Sequence, residues 1–257
     1  MLARSFNAAA ILTTAIVSLV AVSSAQAHNI WATTARDEGR LTGQIKYGDV
    51  EKPELADRSR VVTASVISGS GRNELRKSLK IDLTRGTPFL LTAPFDAPRD
   101  AVVELVYDNG FWVDLPDKSE VNTNVALLPQ GAARRWTVKF GKTLVGPGAF
   151  RRVTQQRLEM VPLKEPYAVA AGEMLPVKLQ LDGTPYAGAA IAYSDGLEPI
   201  PDAKMPIAKT GADGVAMIPL SRKGPYLFTV DINVAPTYPA FTIQDHIYAS
   251  LGFDTSQ

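Results

Sequence analysis

The sequence contains two histidines, His28 and His246. His28 directly follows Ala25-Gln26-Ala27, a small-x-small pattern of the kind at which signal peptidases cut. Cleavage after Ala27 makes His28 the first residue, with a free α-amine and an imidazole that chelate together as nitrogen donors. His246 supplies a second imidazole. Three nitrogens in a roughly T-shaped plane, a histidine brace, suit Cu(II) or Ni(II), which accept square-planar or tetragonal N and O ligands. Asp245 and Tyr248 flank His246 and are candidates to add an oxygen ligand or to orient its ring. Two imidazoles and an amine fit Ca or Mg poorly, since those ions want oxygen. The donors ligate only when unprotonated, so affinity falls as pH drops below neutral. The competing reading is plainer: His28 follows a cleavage site by chance, and His246 is an ordinary surface residue.

The residues before His28 have the composition of an export signal. Arg4 gives a positive start, Ala8 to Val22 is apolar, and the cleavage pattern follows. Residues 1–27 are therefore expected to be removed, which places the protein in the periplasm. The apolar run is short for a membrane span, which needs about 20 residues, so the cleaved chain is not expected to span the bilayer. Without residues 1–27, Lys+Arg and Asp+Glu are equal in number, which argues against a nucleic-acid binder. With no cysteine, disulfides, thiolate zinc sites and cysteine nucleophiles are excluded. The exported chain must rely on its hydrophobic core.

Short alternating runs punctuated by Gly, Pro, Asn and Asp predict an all-β fold. "RVVTASVISGSG", "LKIDLTRGTPFLLTAP" and "ARRWTVKFGKTLV" are each one or two strands. "KPELADRS" is a candidate helical turn. In the second half, Asp182-Gly183 and Asp213-Gly214 mark turns between strands. The expectation is two packed antiparallel β-sandwich domains, 28–152 and 153–257, the second immunoglobulin-like or transthyretin-like. The joint near Arg151 to Arg157 has no Ser/Gly-rich tract, so the domains are expected to pack. In the last strand, His246, Tyr248 and Ser250 share one face, and Ile247, Ala249, Leu251 and Phe253 share the core-facing one.

Other chemistry is weak. Asn109-Gly110 is a hairpin-turn pair, and Phe111 and Trp112 behind it are expected to cap a core rather than form a binding platform. Trp31 either anchors the new N-terminus or belongs to the core. Scattered aspartates lack calcium-loop spacing, and no G-x-S-x-G elbow supports a hydrolase. The expectation is a protein that is not an enzyme. A copper oxygenase acting on a polymer would need a flat aromatic surface, for which Tyr248 and Trp31 are the obvious candidates.

Several stretches carry a likeness: "AHNIW" at the cleavage site, "YDNGFWVDLPD", "VKFGKTL", "LEMVPLKEPYAVAAGEMLPVKLQLDGTPYAGAAI" and "KTGADGVAMIPL". Through them most of the chain beyond residue 27 resembles the periplasmic NikM-like, nickel uptake transporter family, built on a domain of unknown function. The resemblance implies a secreted two-domain β protein that serves transition-metal uptake. Its partners would be the metal ion and an envelope transport component, either a membrane permease or a TonB-dependent receptor system. Here His28 itself follows the cleavage site, where the nickel members show Met-His, so copper, cobalt and iron stay open beside nickel. The alternative is a non-catalytic structural or interaction module that docks an envelope transport partner, with any metal incidental.

Overall fold

The computed structural model describes residues 28–256 except 85, 87, 117–118, 125–126, 128–132, 195–199 and 202–203. The signal sequence assigned to residues 1–27 lies outside the described residues. Among the described residues no helix is long and apolar enough to cross a membrane. The first half forms β1 (Asn29–Asp37), β2 (Arg40–Gly48), β3 (Pro53–Glu54), β4 (Val61–Ser68), β5 (Gly71–Glu74), β6 (Lys80–Asp82) and β7 (Phe89–Leu91). It continues with β8 (Val102–Asp114), β9 (Glu120–Thr123) and β10 (Ala133–Leu144). The second half adds β11 (Leu158–Pro162), β12 (Met174–Leu181), β13 (Thr184–Pro185), β14 (Ala190–Tyr193), β15 (Ile207–Lys209), β16 (Val215–Pro219), β17 (Pro225–Val234) and β18 (Gln244–Asp254). The helical turn expected in Lys52 to Ser59 starts later, as a 3-10 turn over Arg58–Arg60 capped by Asp57.

The fold is all-β, in three sheets. A first sheet runs β1-β2-β7-β6, with β3 on β2. A central sheet runs β15-β14-β17-β18-β10-β8-β4-β5, with β9 on β8. A third runs β11-β12-β13, with β16 on β12. The central sheet takes strands from both sides of residue 152, so the two halves interlock. The seam is the one parallel pair among the described strands, β10 with β18, which sets Thr137 beside His246 and Lys139 beside Tyr248. Parallel neighbours cannot be joined by a tight turn, and here most of the second half intervenes.

Side-chain alternation assigns each face of the central sheet. Val138, Phe140 and Leu144 of β10, with Ile247, Ala249, Leu251 and Phe253 of β18, enter a core shared with Leu175, Val177 and Ile218 of the third sheet. The β18 parity expected from the sequence holds. Ile30, Ala32, Leu41, Ile45 and Leu90 of the first sheet form a second core against Ala64, Val66, Val103, Leu105 and Tyr107. Burying one such side chain contributes roughly 1.5–3 kcal/mol. Two smaller sheets thus cover opposite faces of one larger sheet.

The free edge of β1 is seated on the seam by side chains rather than by a neighbouring strand. The carbonyls of His28, Ile30 and Ala32 accept from Lys139 Nζ, Ser250 Oγ and Thr143 Oγ1 respectively. Close approach requires a residue without a side chain beneath it. A Cβ on Gly141 would stand 3.1 Å from the Ile30 carbonyl oxygen and 3.2 Å from Leu105 Cβ. Gly141→Ala is therefore expected to cost about 1–3 kcal/mol, the usual penalty of overpacking, read from the urea-unfolding midpoint.

Two turns form where the sequence places them. Asp182 (φ 51°) and Gly183 (φ 77°) both lie in the left-handed region, as a type I′ hairpin turn requires. Gly214 has φ 74°, and Asp213 Oδ1 accepts from Val215 N at 3.0 Å. The expected Asn109-Gly110 hairpin does not form. Both sides of the pair lie within β8 and face the same strand, β10. Thr137 opposes Gly110 and Val138 opposes Asp108, which leaves Asn109 as an extra residue. The pair makes a β-bulge, with Gly110 at φ 80°.

Candidate functional site

The face of the central sheet around the seam turns polar where β1 begins. His28, immediately before β1, and His246, on β18, line one cavity of about 510 Å³. Alternation on β10 supplies Arg135, Thr137 and Lys139 to its floor, and alternation on β18 supplies Gln244, His246 and Tyr248. Cross-strand register arranges these in rows: Asn233, His246 and Thr137 in one, Asp231, Tyr248 and Lys139 in the next.

His246 is held on both ring nitrogens. Its Nε2 lies 2.8 Å from Asp231 Oδ2, and a carboxylate only accepts, so Nε2 carries the proton. Nδ1 is then left as an acceptor for the Tyr248 hydroxyl at 3.2 Å. A carboxylate that fixes the tautomer and orientation of an imidazole is the usual outer support of a ligating histidine. His28 packs edge-on against Tyr47, with ring centroids 5.3 Å apart, and its Nε2 is 4.0 Å from Asp49 Oδ1. Tyr47 in turn donates to Asn109 Oδ1 at 3.3 Å, so the bulge residue takes part in the wall. Burial pushes the hydroxyl pKa values of Tyr47 and Tyr248 up, and both stay protonated.

Lys139 lies between the two histidine-bearing elements. It is buried, donates to the His28 carbonyl, and sets its ammonium 3.6 Å from the centroid of the Tyr248 ring. Desolvation lowers its pKa to about 7 against the opposing pull of Asp231, with Arg135 adding to the lowering. Arg135 is neutralised by Asp114 and by Glu120 at 2.6 Å, and its guanidinium sits 6.0 Å from the Trp112 ring. Trp112 also lines the cavity, contrary to the purely core-capping role expected for it.

The sequence-predicted residues divide cleanly. His28, His246 and Tyr248 come together; Asp245 does not join them. Its parity is that of Ile247, and it is fully buried on the opposite face, where it accepts from Arg157 Nη1 at 2.7 Å and from Thr237 N at 2.8 Å. Trp31 is buried, as the core reading anticipates. Asp231 and Lys139 join the site although no motif marks them. Asp231 interrupts the apolar alternation of "LFTVDINV", and Lys139 shares the parity of Arg135 and Thr137, but only the β10–β18 pairing brings them to the histidines. Among the described residues no cluster of three His, Cys, Asp or Glu side chains is placed to hold a metal. A two-histidine site thus depends on the α-amine that cleavage would create.

No solved structure matches the chain. A protein of Haemophilus influenzae (strain ATCC 51907 / DSM 11121 / KW20 / Rd), described as uncharacterized, is 23% identical over 181 residues, spanning 70% of this chain and 73% of that protein. Residues 25–233 match the sequence model of the domain of unknown function DUF4198, and the chain belongs to that family.

Proposed function

We propose that this protein is a periplasmic binder of a Cu- or Ni-type divalent ion, held by the His28 α-amine and imidazole and by His246, and that it serves an envelope metal-uptake system. The observation that carries the proposal is that the two histidines of the whole sequence, far apart along the chain, line the same cavity. Three further features support it. Asp231 fixes the ring of His246 and leaves Nδ1 as the coordinating nitrogen once the Tyr248 hydroxyl yields it. The seating of β1 on Lys139, Ser250 and Thr143 gives residue 28 a fixed position. The charge of Arg135 is already offset by two carboxylates. The donor set, nitrogen-rich and poor in oxygen, suits copper or nickel, with cobalt and iron as neighbours in the series. The transport role rests on the resemblance to nickel-uptake proteins, and the partner is a permease or a TonB-dependent receptor system.

The test is a calorimetric and EPR titration with Cu(II) and Ni(II) of protein cleaved to begin at His28. Two controls run beside it: the same protein with one extra residue before His28, and His246→Ala. Stoichiometric binding should fall in both controls by more than the roughly 10–100-fold that loss of an outer-sphere partner costs. Equal or absent binding in all three would overturn the proposal. The docking-module reading would then stand first, with the exposed Tyr238, Phe241 and Ile243 as its contact face.

A further inference from the structure

A second cavity, of about 250 Å³, opens farther along β1, between the β1–β2 hairpin and the β17–β18 pair. Trp31, Leu144, Tyr226, Leu227 and Phe253 give it an apolar wall, in which the Tyr226 and Phe253 rings stack 5.3 Å apart at 19°. The polar groups of the wall are mostly engaged already. Thr143 Oγ1 donates to the Ala32 carbonyl, Tyr167 donates to the Leu144 carbonyl, and Ser194 Oγ accepts from Leu227 N. The Asp254 carboxylate accepts from Ser256 N and Oγ.

Lys46 is the exception. It stands opposite Trp31 in the β1–β2 register and lines the cavity. It is half-buried, and its ammonium makes no hydrogen bond or ion pair among the described residues. An unpaired, partly desolvated cation beside an apolar, aromatic wall is an incomplete electrostatic arrangement, and the missing element is an anion attached to an apolar body.

We infer that this cavity binds a small aromatic carboxylate, with the carboxylate on Lys46 and the ring against Trp31, Tyr226 and Phe253. The volume sets the size. A dry cavity of about 150 Å³ holds benzene, so this one suits one ring or two fused rings. The aromatic wall favours a planar body over a flexible chain, because ring-on-ring packing adds to what area burial alone contributes. The site is separate from the histidine cavity. Lys46 and Tyr47 are consecutive on β2, and strand alternation sends Lys46 to this cavity and Tyr47 to the other.

The test uses 2-naphthoate as probe and 2-naphthylmethanol as its neutral counterpart, titrated at pH 7 and followed by calorimetry and tryptophan fluorescence. Saturable one-to-one binding of 2-naphthoate is expected, with quenching that is lost in Trp31→Phe. Affinity should fall at least tenfold for the alcohol and in Lys46→Met, while Lys46→Arg retains it. His246→Ala should leave 2-naphthoate binding unchanged, so failure of the metal proposal and failure of this one are distinguishable. Circular dichroism and unfolding midpoints confirm that each variant is folded. Absence of saturable binding at millimolar 2-naphthoate, or affinity indifferent to Lys46→Met and to loss of the carboxylate, would overturn the inference.

Discussion

Glu159→Leu is expected to lower stability by about 3–5 kcal/mol, the usual cost of removing one partner of a buried ion pair. Lys142 and Glu159 pair at 2.7 Å with side chains only 1% and 2% exposed. Their surroundings explain why the loss is large. Lys142 Nζ also donates to the Arg152 carbonyl at 2.6 Å, and the Glu159 carboxylate accepts from Thr154 N at 2.8 Å and Gln155 N at 3.0 Å. The variant would leave a buried ammonium that burial already pushes toward the neutral form, together with two backbone donors lacking acceptors. For a chain of this size the midpoint temperature should fall on the order of 10 °C, measured by calorimetry or urea unfolding. The double variant Lys142→Met/Glu159→Leu should recover part of the loss, because the uncompensated charge is gone while Thr154 N and Gln155 N remain unserved. Additive single effects in that cycle would contradict the pairing. This cluster also ties down the joint between the halves. Gln156 adds bonds to the Leu105 and Gly141 carbonyls, so residues 152–157 are fastened to the central sheet.

The second large effect is a pH dependence carried by Lys139. Its pKa is lowered to about 7 in the folded protein from the ordinary 10.5, chiefly by desolvation. Between those values the unfolded chain binds the proton and the folded chain does not, so stability rises with pH across the window. Below about pH 7 both states are protonated, and the penalty of burying the charge is complete. The full difference amounts to roughly 5 kcal/mol at about 1.4 kcal/mol per unit. Lys46 and Lys142 shift in the same direction and contribute with the same sign. The tyrosines Tyr47, Tyr107, Tyr167 and Tyr248 shift upward, and above pH 10 they act oppositely. The measurement is therefore urea unfolding of wild type and Lys139→Met from pH 7 to 9.5. The wild-type slope should exceed the variant's by about 1 kcal/mol per pH unit near pH 8. Parallel slopes would mean that Lys139 is not desolvated in the folded state.

Much of this arrangement is legible in the sequence, and what is not legible has a definite cause. Alternation alone assigns the faces of β18 correctly, because Ile247, Ala249, Leu251 and Phe253 leave only one way to bury the strand. The same parity rule, applied one residue earlier, would have removed Asp245 from the site: it shares the face of Ile247. The turns at Asp182-Gly183 and Asp213-Gly214 are visible because their backbone needs are local. The bulge at Asn109-Gly110 is not, since the same dipeptide serves a hairpin or a bulge depending on which strand pairs beside it. Lys139 and Asp231 stayed hidden for a non-local reason. Each looks like an ordinary polar strand position until the parallel β10–β18 pairing and the β17 register place them against His28 and His246.

The three carbonyls of β1 that rest on Lys139, Thr143 and Ser250 tie together residues 111, 111 and 220 positions apart. An early strand, β1, is thus seated by two much later ones, β10 and β18. A chain emerging from its N-terminus can form the β1–β2 hairpin early. It cannot seat the Ile30 carbonyl on Ser250 until Gln244–Asp254 has been delivered, and long-range pairings of this kind are slow to form. The histidine cavity is therefore walled in full only once β18 lies beside β10.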